Sequence, residues 1–123
     1  MMVKVKDQAA ISENDVRKYE MLNPLLNSML GEMKELSKKK QDGFLNKLKV
    51  SMINKILTQI KILLSTEPTS EFISLLDEDS LPTNSDVVLI LSQYQSAMNQ
   101  YRGKYYRRDT DEATSRWHTK ENP

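Results

Sequence analysis

The chain has 123 residues, with 18 Lys and Arg against 17 Asp and Glu for a formal charge of +1, so it carries no net field to steer it toward nucleic acid or an anionic surface. It has no cysteine and a single histidine, His118, which excludes a disulfide framework, a thiolate nucleophile, a Cys-ligated zinc or iron–sulfur centre and a histidine-rich metal site. That usage suits a reducing, cytoplasmic setting. The opening MMVKVKDQAA lacks the apolar run of a secretory signal, and the most apolar stretch, Ile53 to Leu64, is interrupted by Asn54, Lys55, Thr58, Gln59 and Lys61, too polar to span a membrane.

In chain order, residues 1–11 show no clear periodicity and predict a flexible arm, with a short strand over Val3 to Val5 as the alternative. Ser12 opens the first helix: Asp15 stands three positions on, as in a capping box, and Glu13 adds negative charge where the helix dipole favours it. Tyr19, Leu22, Leu26, Met29, Met33 and Leu36 then recur at steps of three and four, a seam along one helix face that Leu25 and Leu30 widen. Pro24 falls inside this seam without breaking its phase. One kinked helix through Pro24 is favoured; a fresh helix capped by Asn23 with Pro24 at its first position is the other reading.

Lys38-Lys39-Lys40 ends the first helix, and Gln41-Asp42-Gly43 supplies a turn and a cap. From Phe44 a second helix places Leu45, Leu48, Met52, Ile53, Ile56, Leu57, Ile60, Leu63 and Leu64 in two adjacent rows, a face broad enough for the most buried helix of a bundle. Glu67-Pro68-Thr69 stops it. A short helical segment over Phe72, Ile73, Leu75 and Leu76 follows, closed by Asp77-Glu78-Asp79. Thr83 with Asp86, and Leu81 as a staple, mark the start of the last helix, whose stripe is Val87, Leu91, Tyr94, Met98, Tyr101 and Tyr105. Beyond Arg108 the composition turns polar and predicts a flexible tail over 109–123 with one aromatic, Trp117.

Charge is segregated despite the neutral total. Glu67 through Asp86 holds six acidic residues and no basic one, whereas Val87 through Arg108 holds four basic residues and no acidic one. The acidic connector either folds back to neutralise the helices or forms part of a bipolar surface that recognises a partner.

The chemistry-bearing motifs are few. Arg102, Lys104, Tyr106, Arg107 and Arg108, with Trp117 beyond, interleave cations and aromatics and are the candidate partner-binding set; Tyr101 and Tyr105 of the same tract continue the core stripe. Lys38, Lys39, Lys40, Lys47, Lys55 and Lys61 are the alternative phosphate contacts. Asp77, Glu78, Asp79 and Asp86 lack calcium-loop spacing and the turn glycine. Arg116 and His118 have one residue between them, which is not the spacing of the Arg…His motif of the HEPN ribonucleases, so no catalytic role transfers. No phosphate loop, Ser–His–Asp set or Glu-x-x-His motif occurs, and no cofactor or metal is implied.

The expectation is therefore an all-α antiparallel helical bundle over residues 12–108, with long helices at about 13–40, 43–65 and 84–107 and a short one near 70–78. Its fourth wall is either the short segment or a second copy of the chain. The function expected is that of a non-catalytic interaction module or small adaptor subunit binding another protein or itself. The alternative is a nucleic-acid-associated protein using the basic faces of the second and last helices.

Overall fold

The structure, a computed structural model, describes residues 11–109 and 114–123; of the arm expected over residues 1–11, residues 1–10 lie outside the described residues and Ile11 is buried. The described residues are mostly helical, with three α-helices, α1 (Glu13–Lys39), α2 (Lys47–Leu63) and α3 (Asn84–Tyr105), a 3-10 turn over Pro68–Phe72, and a two-stranded sheet of β1 (Tyr106–Arg108) and β2 (Ser115–Trp117).

The helix starts follow from their caps. Ser12 Oγ accepts from the Asp15 amide at 3.1 Å and the Ser12 amide donates to Asp15 Oδ2 at 2.9 Å, the reciprocal pair the sequence predicts. Thr83 Oγ1 accepts from the Asp86 amide at 3.2 Å and opens α3. α1 runs unbroken through Pro24, which settles the two readings in favour of one helix. Pro24 and Glu20 are both exposed, so the carbonyl of Glu20 that loses its amide partner at Pro24 lies on the solvent side. Tyr19, Leu22, Leu26, Leu30 and Met33, all buried, hold the helix together across the break. Proline in a helix interior costs about 3 kcal/mol relative to alanine, partly returned through the stiffer unfolded chain. Pro24→Ala is therefore expected to raise the unfolding free energy by about 1–2 kcal/mol, read as a higher urea midpoint with an unchanged slope.

α2 begins three residues later than the sequence suggests. The cap is Asn46, whose Oδ1 accepts from the Lys49 amide at 2.8 Å. Residues 43–45 are instead spent on the loop before α3: the Leu45 amide donates to Pro82 O at 2.9 Å, the Asn84 amide to Gly43 O at 2.8 Å, and Asn84 Nδ2 to Lys40 O at 2.7 Å. These bonds tie both inter-helix loops at one end of the molecule. α1 and α3 run antiparallel, with Tyr19 stacked on Tyr101, Asn27 bonded to Gln95, and Lys40 meeting Asn84.

The short helix expected near 70–78 does not form. After the 3-10 turn the chain has no regular structure from Ile73, itself extended, to Asp77, with Ile73 and Leu76 buried. Buried backbone outside regular structure needs partners, and here side chains of both flanking helices supply them. Asn54 of α2 grips Leu76 twice, Nδ2 donating to its carbonyl and Oδ1 accepting from its amide, each at 2.9 Å. Lys61 Nζ donates to Ile73 O at 2.9 Å, and Tyr94 OH of α3 donates to Ser74 O at 2.8 Å. This strap fills the wall between α2 and α3.

The C-terminal segment also departs from the expected tail. β1 and β2 pair antiparallel, Tyr106 opposite Trp117, Arg107 opposite Arg116 and Arg108 opposite Ser115, so the fold is not purely α. Residues 118–121 then cover the start of α1: His118 and Thr119 are buried, the Lys120 amide donates to Ile11 O at 2.8 Å, and the Glu121 carboxylate accepts from the Glu13 amide at 3.0 Å. A carboxylate there meets the partial positive charge of the helix terminus.

A candidate docking groove

α2 has two apolar rows, and the fold covers one of them. Val50, Ile53, Leu57, Ile60 and Leu64 point into the core, while Leu48 and Met52 on the next row stay 70% and 57% exposed. The facing side of α1 behaves alike. Leu30 and Met33 are buried, but Leu25, one turn before Met29, is 44% exposed and Met21 a further turn back is 57% exposed. Between these rows lies a cleft of about 540 Å³ whose floor is Met29, Met33, Leu36, Leu45, Met52 and Ile56. Glu32, Asn46 and Lys49 add polar groups to its walls. Methionine side chains are unbranched and polarisable, so three of them in one cleft give a floor that adapts to what lies on it. The seam expected on α1 and the breadth expected on α2 are both present; which row stays open was decided by the strap and α3, which close the opposite side.

The residues singled out in the sequence fall into separate groups. Arg102 lies over the Tyr106 ring at 4.2 Å, Tyr106 meets Trp117 edge-on at 5.4 Å, and Trp117 meets Tyr19 at 5.1 Å. These rings continue through Tyr101, stacked 5.9 Å from Tyr19, to Tyr105 at 5.0 Å from Tyr101. The aromatic faces of the tract are thus spent on one another and on Arg102. Lys104 turns away to the buried Glu67 at 3.3 Å, and Tyr105 OH donates to the same carboxylate at 2.8 Å. Burial, and then the bond to Glu67, hold the Tyr105 hydroxyl above its ordinary pKa; burial raises Tyr94 and Tyr101 as well. Arg107 and Arg108 are exposed on β1, and Arg116 pairs with Asp109 at 2.7 Å, which lowers the Asp109 pKa.

Of the lysines, Lys61 is engaged with the strap and Lys38 with Glu35 at 3.2 Å. Lys39, Lys40, Lys47 and Lys55 are exposed, at the end of α1 and along α2. Lys49, on the groove wall, was not among the expected contacts; its signal was its place four residues from both Leu45 and Ile53 in the apolar pattern. Glu67, read as a helix stop, is a buried carboxylate anchoring α3.

Both ring nitrogens of His118 face backbone carbonyls, Nδ1 that of Pro123 at 3.2 Å and Nε2 that of Arg107 at 3.3 Å, inside the base of the hairpin. Among the described residues no group of three or more His, Asp or Glu could hold a metal ion, and no helix is long and apolar enough to cross a membrane. Neither a protein family, nor a curated protein, nor a solved structure matches the chain.

Proposed function

We propose that the protein is a non-catalytic interaction module, an accessory or adaptor subunit whose helices form an antiparallel bundle with one wall left open for an amphipathic helix of another protein. The observation that carries this reading is the methionine-floored cleft between α1 and α2, lined in part by the exposed Leu48 and Met52, with Leu25 exposed on α1 one turn before Met29. Two helices side by side leave a furrow that a third fills by setting its own apolar ridge into it, as helix-in-groove recognition does. Large apolar side chains exposed in one contiguous strip, as opposed to singly, mark a contact surface.

The test is a photo-crosslinking amino acid at Met52, with the same group at Thr58 on the opposite exposed side of α2 as control. The expected result is a single adduct of discrete mass from position 52 in the native cell and none from position 58. Leu48→Glu is expected to abolish that adduct while moving stability by no more than about 0.5 kcal/mol, because the side chain is already in solvent. Crosslinking unchanged by Leu48→Glu overturns the reading.

Nucleic-acid contact, expected from the sequence through the basic faces of the second and last helices, is the second reading, favoured by the exposure of Lys47 and Lys55 on α2 and of Arg107 and Arg108 on β1 just past α3. Against it, Tyr106 and Trp117 have rings packed where a base would stack, and Lys61 and Lys104 are engaged elsewhere.

A further inference from the structure

The charge around the groove differs from that of the molecule. Residues 32–56 hold seven lysines, among them Lys39, Lys40, Lys47, Lys49 and Lys55, against the three acids Glu32, Glu35 and Asp42, a net +4 in a chain whose total is +1. Helical geometry puts the cations at the rim: Lys49 lines the wall, Lys55 lies three residues from Met52 and seven from Leu48 on the outer lip, and Lys39 and Lys40 continue past Leu36. Lys38 is offset by Glu35, while α2 from Lys47 to Leu63 has four lysines and no carboxylate.

We infer that the occupant of the groove is an acidic amphipathic helix of a partner protein, with its apolar face on Met29, Leu48 and Met52 and its carboxylates over the lysines of the rim. This rests on the docking reading above and adds the partner's chemistry. Opposite charge along a groove rim sets which partner is accepted and how fast it arrives, and like charge rejects the wrong one. A second copy presenting the same face is the poorer match on that ground, because the Lys49 and Lys55 pairs of two α2 helices face to face would meet with only Glu32 of each groove wall to offset them. A bilayer surface is also the poorer match, since the methionine floor is concave and a flat surface reaches only its ridges.

The test uses three labelled peptides, roughly 18 residues or five helical turns long, sharing one Leu/Met apolar face and flanked by Glu, Gln or Lys. Their binding to the full chain is followed by fluorescence anisotropy, beside vesicles of phosphatidylcholine and phosphatidylserine in equal parts. The Glu-flanked peptide is expected to bind about tenfold more tightly than the Gln-flanked one at low salt, the difference shrinking to about twofold near 0.5 M salt. Lys49→Glu with Lys55→Glu, checked for unchanged helicity by circular dichroism, is expected to shift the preference toward the Lys-flanked peptide. Equal affinity for all three peptides overturns the acidic partner and leaves the groove reading standing. Failure of every peptide to bind overturns both, and capture by the anionic vesicles in place of the peptides replaces both with a membrane contact.

Discussion

Asn54→Ala is expected to destabilise the protein by about 2–4 kcal/mol, because a single side chain satisfies both backbone groups of Leu76. Among the described residues the amide and carbonyl of Leu76 are bonded only through Asn54, at 2.9 Å each, and Leu76 is 4% exposed. Leaving a buried donor or acceptor without a partner costs about 1–3 kcal/mol, more than the bond itself contributes. Asn54→Leu separates this effect from cavity formation: it keeps the volume and removes both bonds, and a loss close to that of alanine is expected. Urea denaturation followed by circular dichroism gives the free energies. Amide exchange at Leu76 gives the local consequence, which is expected to speed up more than exchange in α1. A leucine variant as stable as the wild type would show that the strap is held by the packing of Ile73 and Leu76 alone.

Trp117→Ala carries the second large effect, an expected loss of about 2–3 kcal/mol, below the full cost for a completely buried ring because Trp117 is only half-buried. The indole is the largest apolar group of β2 and the link between the hairpin and α1, through Tyr19 on one side and Tyr106 on the other. Its removal is expected to release β2 together with the cover that Lys120 and Glu121 place on Ile11 and Glu13. Hydrogen exchange at the His118 and Lys120 amides tests this. Trp117→Phe, which keeps a ring in the same place, is expected to restore most of the protection; failure of phenylalanine to do so would make the indole's size, not its aromatic contacts, the source of stability.

These two sites are also where the sequence was least informative. α1 and α3 were legible because their determinants are local: Ser12 and Thr83 cap within three residues, and the stripes repeat every three or four. The strap was not legible, because its backbone bonds come from Asn54, Lys61 and Tyr94, 12 to 22 residues away in the chain, and its Ile73-x-x-Leu76 spacing reads as a helical turn. The hairpin was missed because strands of three residues are too short to show a period of two, and because Tyr106 follows a helix stripe without interruption. The onset of α2 was placed early since Phe44 and Leu45 continue its apolar pattern, yet their backbone pairs with the loop before α3. For the candidate site, the breadth of α2 announced more apolar surface than one neighbour could cover. Which of its two rows stays uncovered depends on the strap, which local pattern could not reveal.

Trp117 is the only tryptophan in the chain, and two tyrosine rings stand 5.1 and 5.4 Å from it. The molecule therefore contains a built-in optical gauge: excitation absorbed by Tyr19 or Tyr106 passes readily to the indole, whose emission changes when the hairpin lifts. Met29 to Leu36 lie ten to seventeen residues further along α1 than Tyr19, about 15–25 Å at the helical rise. Opening of the C-terminal hairpin can thus be followed by the protein's own emission, separately from a labelled ligand that reports its arrival at the cleft.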